Sequence, residues 1–274
     1  PPHEDARPFL AIARHLVGLG FAAPAIVGED LAHGLVLIED FGDARMREVV
    51  DADPARERAT YMAAVDLLAA LHRHPPAALP PYSRDELHRE TAIFTDYYCP
   101  LVGLTIDAPG FRAAWDAVFD KIAIVAPVTV LRDFHAENIM LRDDREGFAR
   151  LGLLDFQDAL VGHPAYDLVS LLQDARRVVQ PAIEAGMLAH YAGIANPHGG
   201  FRDDYAIFGA QRNVKILGIF ARLSVRDDKP RYLSLIPGVW DYLERDLAHP
   251  ALAEVASWFA ANVPATARAS HWPR

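Results

Sequence analysis

Five positions separate an acid from an asparagine in Leu131-Arg132-Asp133-Phe134-His135-Ala136-Glu137-Asn138, and a second acid follows in Leu153-Leu154-Asp155-Phe156-Gln157-Asp158. No other feature constrains the chain as much. The β-branched run Val128-Thr129-Val130 predicts a short strand, 138–141 a second, and 151–154 a third behind the turn Asp143-Asp144-Arg145-Glu146-Gly147. Asp133 and Asn138 then share one loop and Asp155 ends the third strand, so the three can converge on one pocket. A carboxylate able to take a hydroxyl proton, beside hard oxygen ligands able to hold magnesium, is the equipment phosphoryl transfer needs. Asp133 suits the first role, Asn138 and Asp155 the second. An acid and an asparagine five apart recur by chance, and either acid could be a turn or N-cap residue. The hairpin and Asp155 behind it make the pattern more specific.

The block resembles the catalytic and magnesium-binding segments of the aminoglycoside phosphotransferase superfamily, which shares the protein kinase fold. Asp133, His135 and Asn138 match that family's H-x-D-x-H-x-x-N motif, and Leu131 stands where the family has His. Leu there can pack but cannot hydrogen-bond. The resemblance implies that Asp155 replaces the D-F-G aspartate and that Asp167 braces the catalytic loop from the following helix; Asp158 reads as a surface or supporting acid. It also implies an α+β, protein-kinase-like fold, with ATP and Mg2+ as cofactors. The small β N-lobe is expected to be partial and to cover 1–40, and a mostly helical C-lobe with the catalytic and metal-binding loops to cover 41–274.

The lysine count bears on that N-lobe. Lys121, Lys215 and Lys229 are the only lysines. Kinases of this fold use a Gly-rich loop and a strand Lys on the ATP phosphates, and nothing before Lys121 supplies either. The chain as given is therefore expected to start just after the Lys strand. Residues 5–20 read as the helix that follows, with Phe9, Ile12, Ala13 and Leu16 at helical spacing and Phe9 or Leu10 where the family often pairs an acid with that Lys. The apolar run 34–38 leads to Glu39, Asp40 and Phe41. By resemblance these form the hinge that binds the adenine edge; taken alone they read as an edge strand and a turn.

Half of the chain is hydrophobic, enough to bury a sizeable core over 274 residues. No apolar run is long enough to span a bilayer and no charged-then-apolar leader is evident, so a cytoplasmic protein without a membrane partner is expected. Cys99 is the only cysteine, which excludes an intrachain disulfide and a thiolate metal site and predicts a buried small hydrophobe. A formal charge of -10 argues against a nucleic-acid partner. Helices are expected over 54–72, 86–98, 110–125, 166–177, 179–192, 205–223, 231–247 and 252–261, with a polar, fraying end over 264–274.

A narrower resemblance rests on Pro1-Pro2, Arg7-Pro8-Phe9, the stretches 153–159 and 166–172, Gln211-Arg212 and 215–223. These are similar to bacterial anomeric sugar kinases that phosphorylate N-acetylmuramate and N-acetylglucosamine at the 1-position. The partner implied is a small sugar or amino sugar; a monomer is expected, with a dimer as the alternative. Candidate sugar contacts are His135, Asp96, Tyr97, Tyr98 and Arg212, because an aromatic face beside a carboxylate suits a sugar ring. Each also has a plain reading: core residues for the tyrosines, a helix cap or ion pair for Arg212, backbone satisfaction for His135. Two other functions stay open: a kinase for an aminoglycoside or other cationic small molecule, and a catalytically weak pseudokinase that binds nucleotide or sugar as a sensor. The intact Asp133, Asn138 and Asp155 set speaks against the sensor.

Overall fold

A computed structural model describes residues 5–268. The Pro1-Pro2 opening and the last six residues of the expected fraying end lie outside that range. In chain order the elements are α1 (Arg7–Gly18), β1 (Ile26–Asp30), β2 (Leu35–Ile38), α2 (Met46–Ala52), α3 (Glu57–Leu71), α4 (Arg84–Ile93), α5 (Cys99–Leu101) and α6 (Ala108–Phe119). There follow β3 (Val128–Val130), β4 (Ile139–Leu141), β5 (Leu151–Leu153), β6 (Leu160–Gly162), α7 (Ala165–Leu172), α8 (Pro181–Ala195), α9 (Phe201–Arg226), α10 (Ile236–Leu247) and α11 (Ala253–Asn262). The contacts gather the chain into two compact units, Pro1–Pro81 with Ala126–Pro197, and Tyr82–Val125 with His198–Arg274.

The first unit contains every strand among the described residues. α1 forms over the expected apolar spacing, with Pro8 in its first turn, and buries Leu10, Ile12, Ala13 and Leu16. β1 and β2 pair antiparallel, as do β4 and β5. β3 does not join that hairpin; it pairs antiparallel with β6, a strand the sequence analysis lacks. α3 packs on α7 and α8, and every residue of α7 is buried. The helix expected over 166–177 stops at Leu172. Asp174 leaves the helical path there, its carboxylate accepting from the backbone N–H of Ala136 (3.3 Å) and of Arg176 (2.8 Å).

The second unit is helical among the described residues, with α9 running against α4 and α10. Gly218 brings α9 hard against the end of α4: a Cβ there would lie 2.4 Å from the Ile93 carbonyl carbon. At that contact, which a side chain at 218 would not permit, the helix widens into a π-turn over Phe94–Tyr98. Ser83 starts α4 by accepting from the Glu86 N–H at 3.2 Å. Cys99 is 1% exposed, and burial pushes its thiol up to about 12, as fits a small core residue. No described helix is long and apolar enough to cross a membrane.

Candidate active site

The loop after β3 turns sharply at Arg132, whose φ of 69° lies in the left-handed region. For a residue other than glycine that costs about 1–3 kcal/mol. Asp167, fully buried on α7, offsets it: its Oδ2 accepts from the Leu131 N–H at 2.7 Å and its Oδ1 from the Arg132 N–H at 2.9 Å. Hydrogen bonds to a charged group are worth roughly 1.5–3 kcal/mol each. Leu131 itself is 3% exposed, so the side chain replacing the motif's His packs while its backbone holds the acid. Beyond the kink the loop is tied by its own backbone, Asp133 N–H to Leu131 O at 2.9 Å, His135 N–H to Asp133 O at 3.0 Å and Asn138 N–H to His135 O at 2.9 Å.

Asn138 is where the loop meets the hairpin. Its amide nitrogen donates to the Asp133 carbonyl at 3.0 Å and to Asp155 Oδ2 at 3.2 Å, and its own carbonyl accepts from Leu154 N–H at 2.9 Å. Asp155 sits just past β5, is exposed, and has a φ of 58°, a second left-handed non-glycine residue. Gln157 Nε2 holds its Oδ1 at 2.7 Å. The next residue, Phe156, is buried and stacks on Phe9 of α1 with ring centroids 5.2 Å apart, so an apolar contact stands where the resemblance leads one to look for an acid. The Asn138 amide thus links the backbone of Asp133 to the carboxylate of Asp155. An amide and a carboxylate in contact present the oxygen donors that magnesium prefers.

His135 faces inward at 3% exposure. Its Nε2 lies 3.2 Å from an Arg176 guanidinium nitrogen and 3.4 Å from Asn138 Nδ2, both of them donor groups. Arg176 also pairs with Glu137 at 3.2 Å, and Glu137 binds Arg47. Neither arginine carries a sequence signal, because both partnerships are made by tertiary folding.

Glu39, Asp40 and Phe41 line a cleft of about 420 Å³ together with Ile38, Met140 and Leu154. Met140 and Leu154 are near neighbours in sequence of Asn138 and Asp155, which sets this cleft beside the polar cluster. Asp40 Oδ1 accepts from the Gly42 N–H at 2.8 Å, an Asx-turn. The Glu39 carboxylate is paired with Arg142 at 2.7 Å, and the Arg142 guanidinium lies 4.3 Å from the Phe41 ring centre.

Asp96, Tyr97, Tyr98 and Arg212 belong to the second unit. Asp96 is exposed and Tyr97 half-buried on the π-turn, with the Arg222 guanidinium 6.0 Å from the Tyr97 ring. Tyr98 is buried and accepts from the Trp240 indole N–H at 2.8 Å. Arg212 is 4% exposed on α9.

A model of the phosphotransferase enzyme family matches residues 1–203. An N-acetylmuramate/N-acetylglucosamine kinase of Caulobacter vibrioides is 41% identical over 277 residues, covering 95% of this chain and 76% of that one. The protein of that name in Pseudomonas aeruginosa is 36% identical, covering 95% and 79%. Among solved structures, a choline/ethanolamine kinase family protein from Mesorhizobium loti superposes with a TM-score of 0.61 at 18% identity, over 93% of this chain and 83% of that chain, which shows the fold. With most of its length covered both by the family model and by relatives well above 30% identity, the chain belongs to the phosphotransferase enzyme family.

Proposed function

We propose that the protein transfers the γ-phosphate of ATP to a sugar hydroxyl, the anomeric hydroxyl of N-acetylmuramate and N-acetylglucosamine. The observation that carries the kinase chemistry is the Asn138 amide, 3.0 Å from the Asp133 carbonyl and 3.2 Å from Asp155 Oδ2. The names and identities of the relatives support the acceptor.

In this reading Asp133 orients the acceptor hydroxyl and takes its proton as the oxygen attacks the γ-phosphorus. The bond to the β–γ bridging oxygen breaks, and ADP leaves with that oxygen. A hemiacetal hydroxyl is more acidic than an ordinary alcohol, so Asp133 acts mainly by position. Asn138 and Asp155 would hold magnesium, which neutralises charge on the triphosphate. Asp167 keeps the loop in register through Leu131 and Arg132, and Glu39, Asp40 and Phe41 form the adenine side of the cleft. His135, Asp96, Tyr97 and Arg212 stay as candidate sugar contacts. The small lobe is assigned to 1–40, and an enzyme drawing on ATP is placed in the cytoplasm.

The test is full-length protein with ATP and magnesium, given N-acetylmuramate, N-acetylglucosamine or kanamycin. ADP release with the sugars, and a sugar 1-phosphate as product, is expected. Release with kanamycin alone would transfer the acceptor to the cationic class.

A further inference from the structure

The β4–β5 hairpin carries Asn138 just before β4 and Arg142 just after it, so one small element holds a metal-side residue at one end and a residue gripping 39–41 at the other. Arg142 is itself fixed by the hairpin, its N–H donating to Arg150 O at 2.8 Å. Its guanidinium pairs with Glu39 at 2.7 Å, with side chains only 13% and 32% exposed, so the pair is less screened than a surface bridge. The same guanidinium covers Phe41 at 4.3 Å. On β5, Gly152 leaves room for that ring: a Cβ there would lie 2.4 Å from Phe41 Cδ2. Glu39 is also tied to the strand side, its N–H to Ala25 O at 2.9 Å and its Oε2 to Ala25 N–H at 3.2 Å.

We infer that Arg142 is a positioning residue for the nucleotide, acting through Glu39 and Phe41, with Gly152 as the gap that lets Phe41 seat. The inference rests on the kinase reading and on 39–41 as its adenine side. Glu39 and Phe41 spend their side chains on Arg142, and Asp40 spends its carboxylate on its own turn. What remains to meet a base is main chain other than the Glu39 N–H, which Ala25 already takes, and main chain selects a base edge only when it is held still. Arg142 supplies that fixation from the hairpin that also positions Asn138 and Asp155.

The experiment measures dissociation constants for a fluorescent ADP analogue with full-length wild-type protein and with Arg142→Ala, Arg142→Lys, Glu39→Gln and Gly152→Ala, followed by steady-state kinetics. Arg142→Ala is expected to weaken nucleotide binding and raise KM for ATP by roughly tenfold, with kcat at saturating ATP and KM for the acceptor moving less than about twofold. Lysine keeps the charge but loses the planar fork and the stack, so Arg142→Lys falls between. Gly152→Ala displaces Phe41 and mimics the loss of Arg142. Wild-type affinity in a folded Arg142→Ala protein, or acceptor and ATP KM rising together, overturns the inference while leaving the kinase reading intact. A wild type that binds no nucleotide overturns both. Should Arg142→Ala not fold, Arg142→Lys and Glu39→Gln decide by the same split of KM against kcat.

Discussion

The loop–hairpin junction of the first unit and the α4–α9 interface of the second both collect acids with polar partners, and they treat them in opposite ways. Glu90 on α4 is 1% exposed and is met by Lys215 Nζ at 2.6 Å, Gln211 Nε2 at 3.0 Å and the Tyr82 hydroxyl. Asn213, midway between Gln211 and Lys215 on α9 and so on the opposite side of the helix, donates to the buried Asp246 at 3.3 Å. Asp155 is instead exposed, on left-handed backbone, and the amides of Asn138 and Gln157 hold its two oxygens. A desolvated carboxylate needs a cation and several donors to be tolerated, and once it has them its charge is spent. A carboxylate held by neutral amides keeps its charge for an incoming cation. On the proposed function, the difference separates acids that pack helices together from acids kept for chemistry, although both stand in a sequence as the same letter.

The sharpest way to break that division is Asp133→Asn. The amide is nearly isosteric but cannot accept the hydroxyl proton, so kcat is expected to fall by roughly 10² to 10⁴. Thermal stability should hold, and nucleotide should still bind. Unchanged turnover would remove Asp133 from its proposed role. Next in size is Glu90→Ala in the second unit. It removes the buried carboxylate that Lys215, Gln211 and the Tyr82 hydroxyl meet, and breaking a buried pair costs about 3–5 kcal/mol of stability. Below the melting transition the acceptor KM should stay near wild type. A protein of normal stability with a raised acceptor KM would instead put Glu90 in the sugar site and erase the contrast.

Which parts could be read beforehand follows from how local their causes are. The β4–β5 hairpin was legible because its strands and the turn at 143–147 lie within fifteen residues, and α1 because its apolar spacing is its own. The π-turn at Phe94–Tyr98 was not, and it begins beside the contact that Gly218, far along the chain, makes with Ile93. β6 is three half-buried residues with no alternation to detect, and it exists as a partner of β3. The early end of α7 is set by Ala136 reaching Asp174. In the site, Asp133, Asn138 and Asp155 carry a readable spacing. Arg142 and Arg176 do not, because an arginine's role is decided by the acid or ring it meets after folding. Asp167 lies between these cases: its place in the pattern came from resemblance, while its two backbone partners needed coordinates.

Asp167 also tests whether the division has a middle. It is as buried as Glu90, yet the groups it satisfies are backbone donors of the loop that carries Asp133. In Asp167→Asn one oxygen becomes an NH2 group that faces either the Leu131 or the Arg132 N–H, donor against donor. Leaving one buried donor unsatisfied costs about 1–3 kcal/mol, which for a chain of this size lowers Tm by roughly 2–4 °C per kcal/mol. The left-handed kink at Arg132 loses half of its support, so Asp133 should wander and kcat should fall by about tenfold, with KM for ATP little changed. Differential scanning fluorimetry and steady-state kinetics on the same preparation separate the outcomes. Lost stability with full kcat would place Asp167 with Glu90 as a packing acid. Loss of both, with kcat staying low well below the melting transition, would show a buried charge serving the reaction through the backbone it holds.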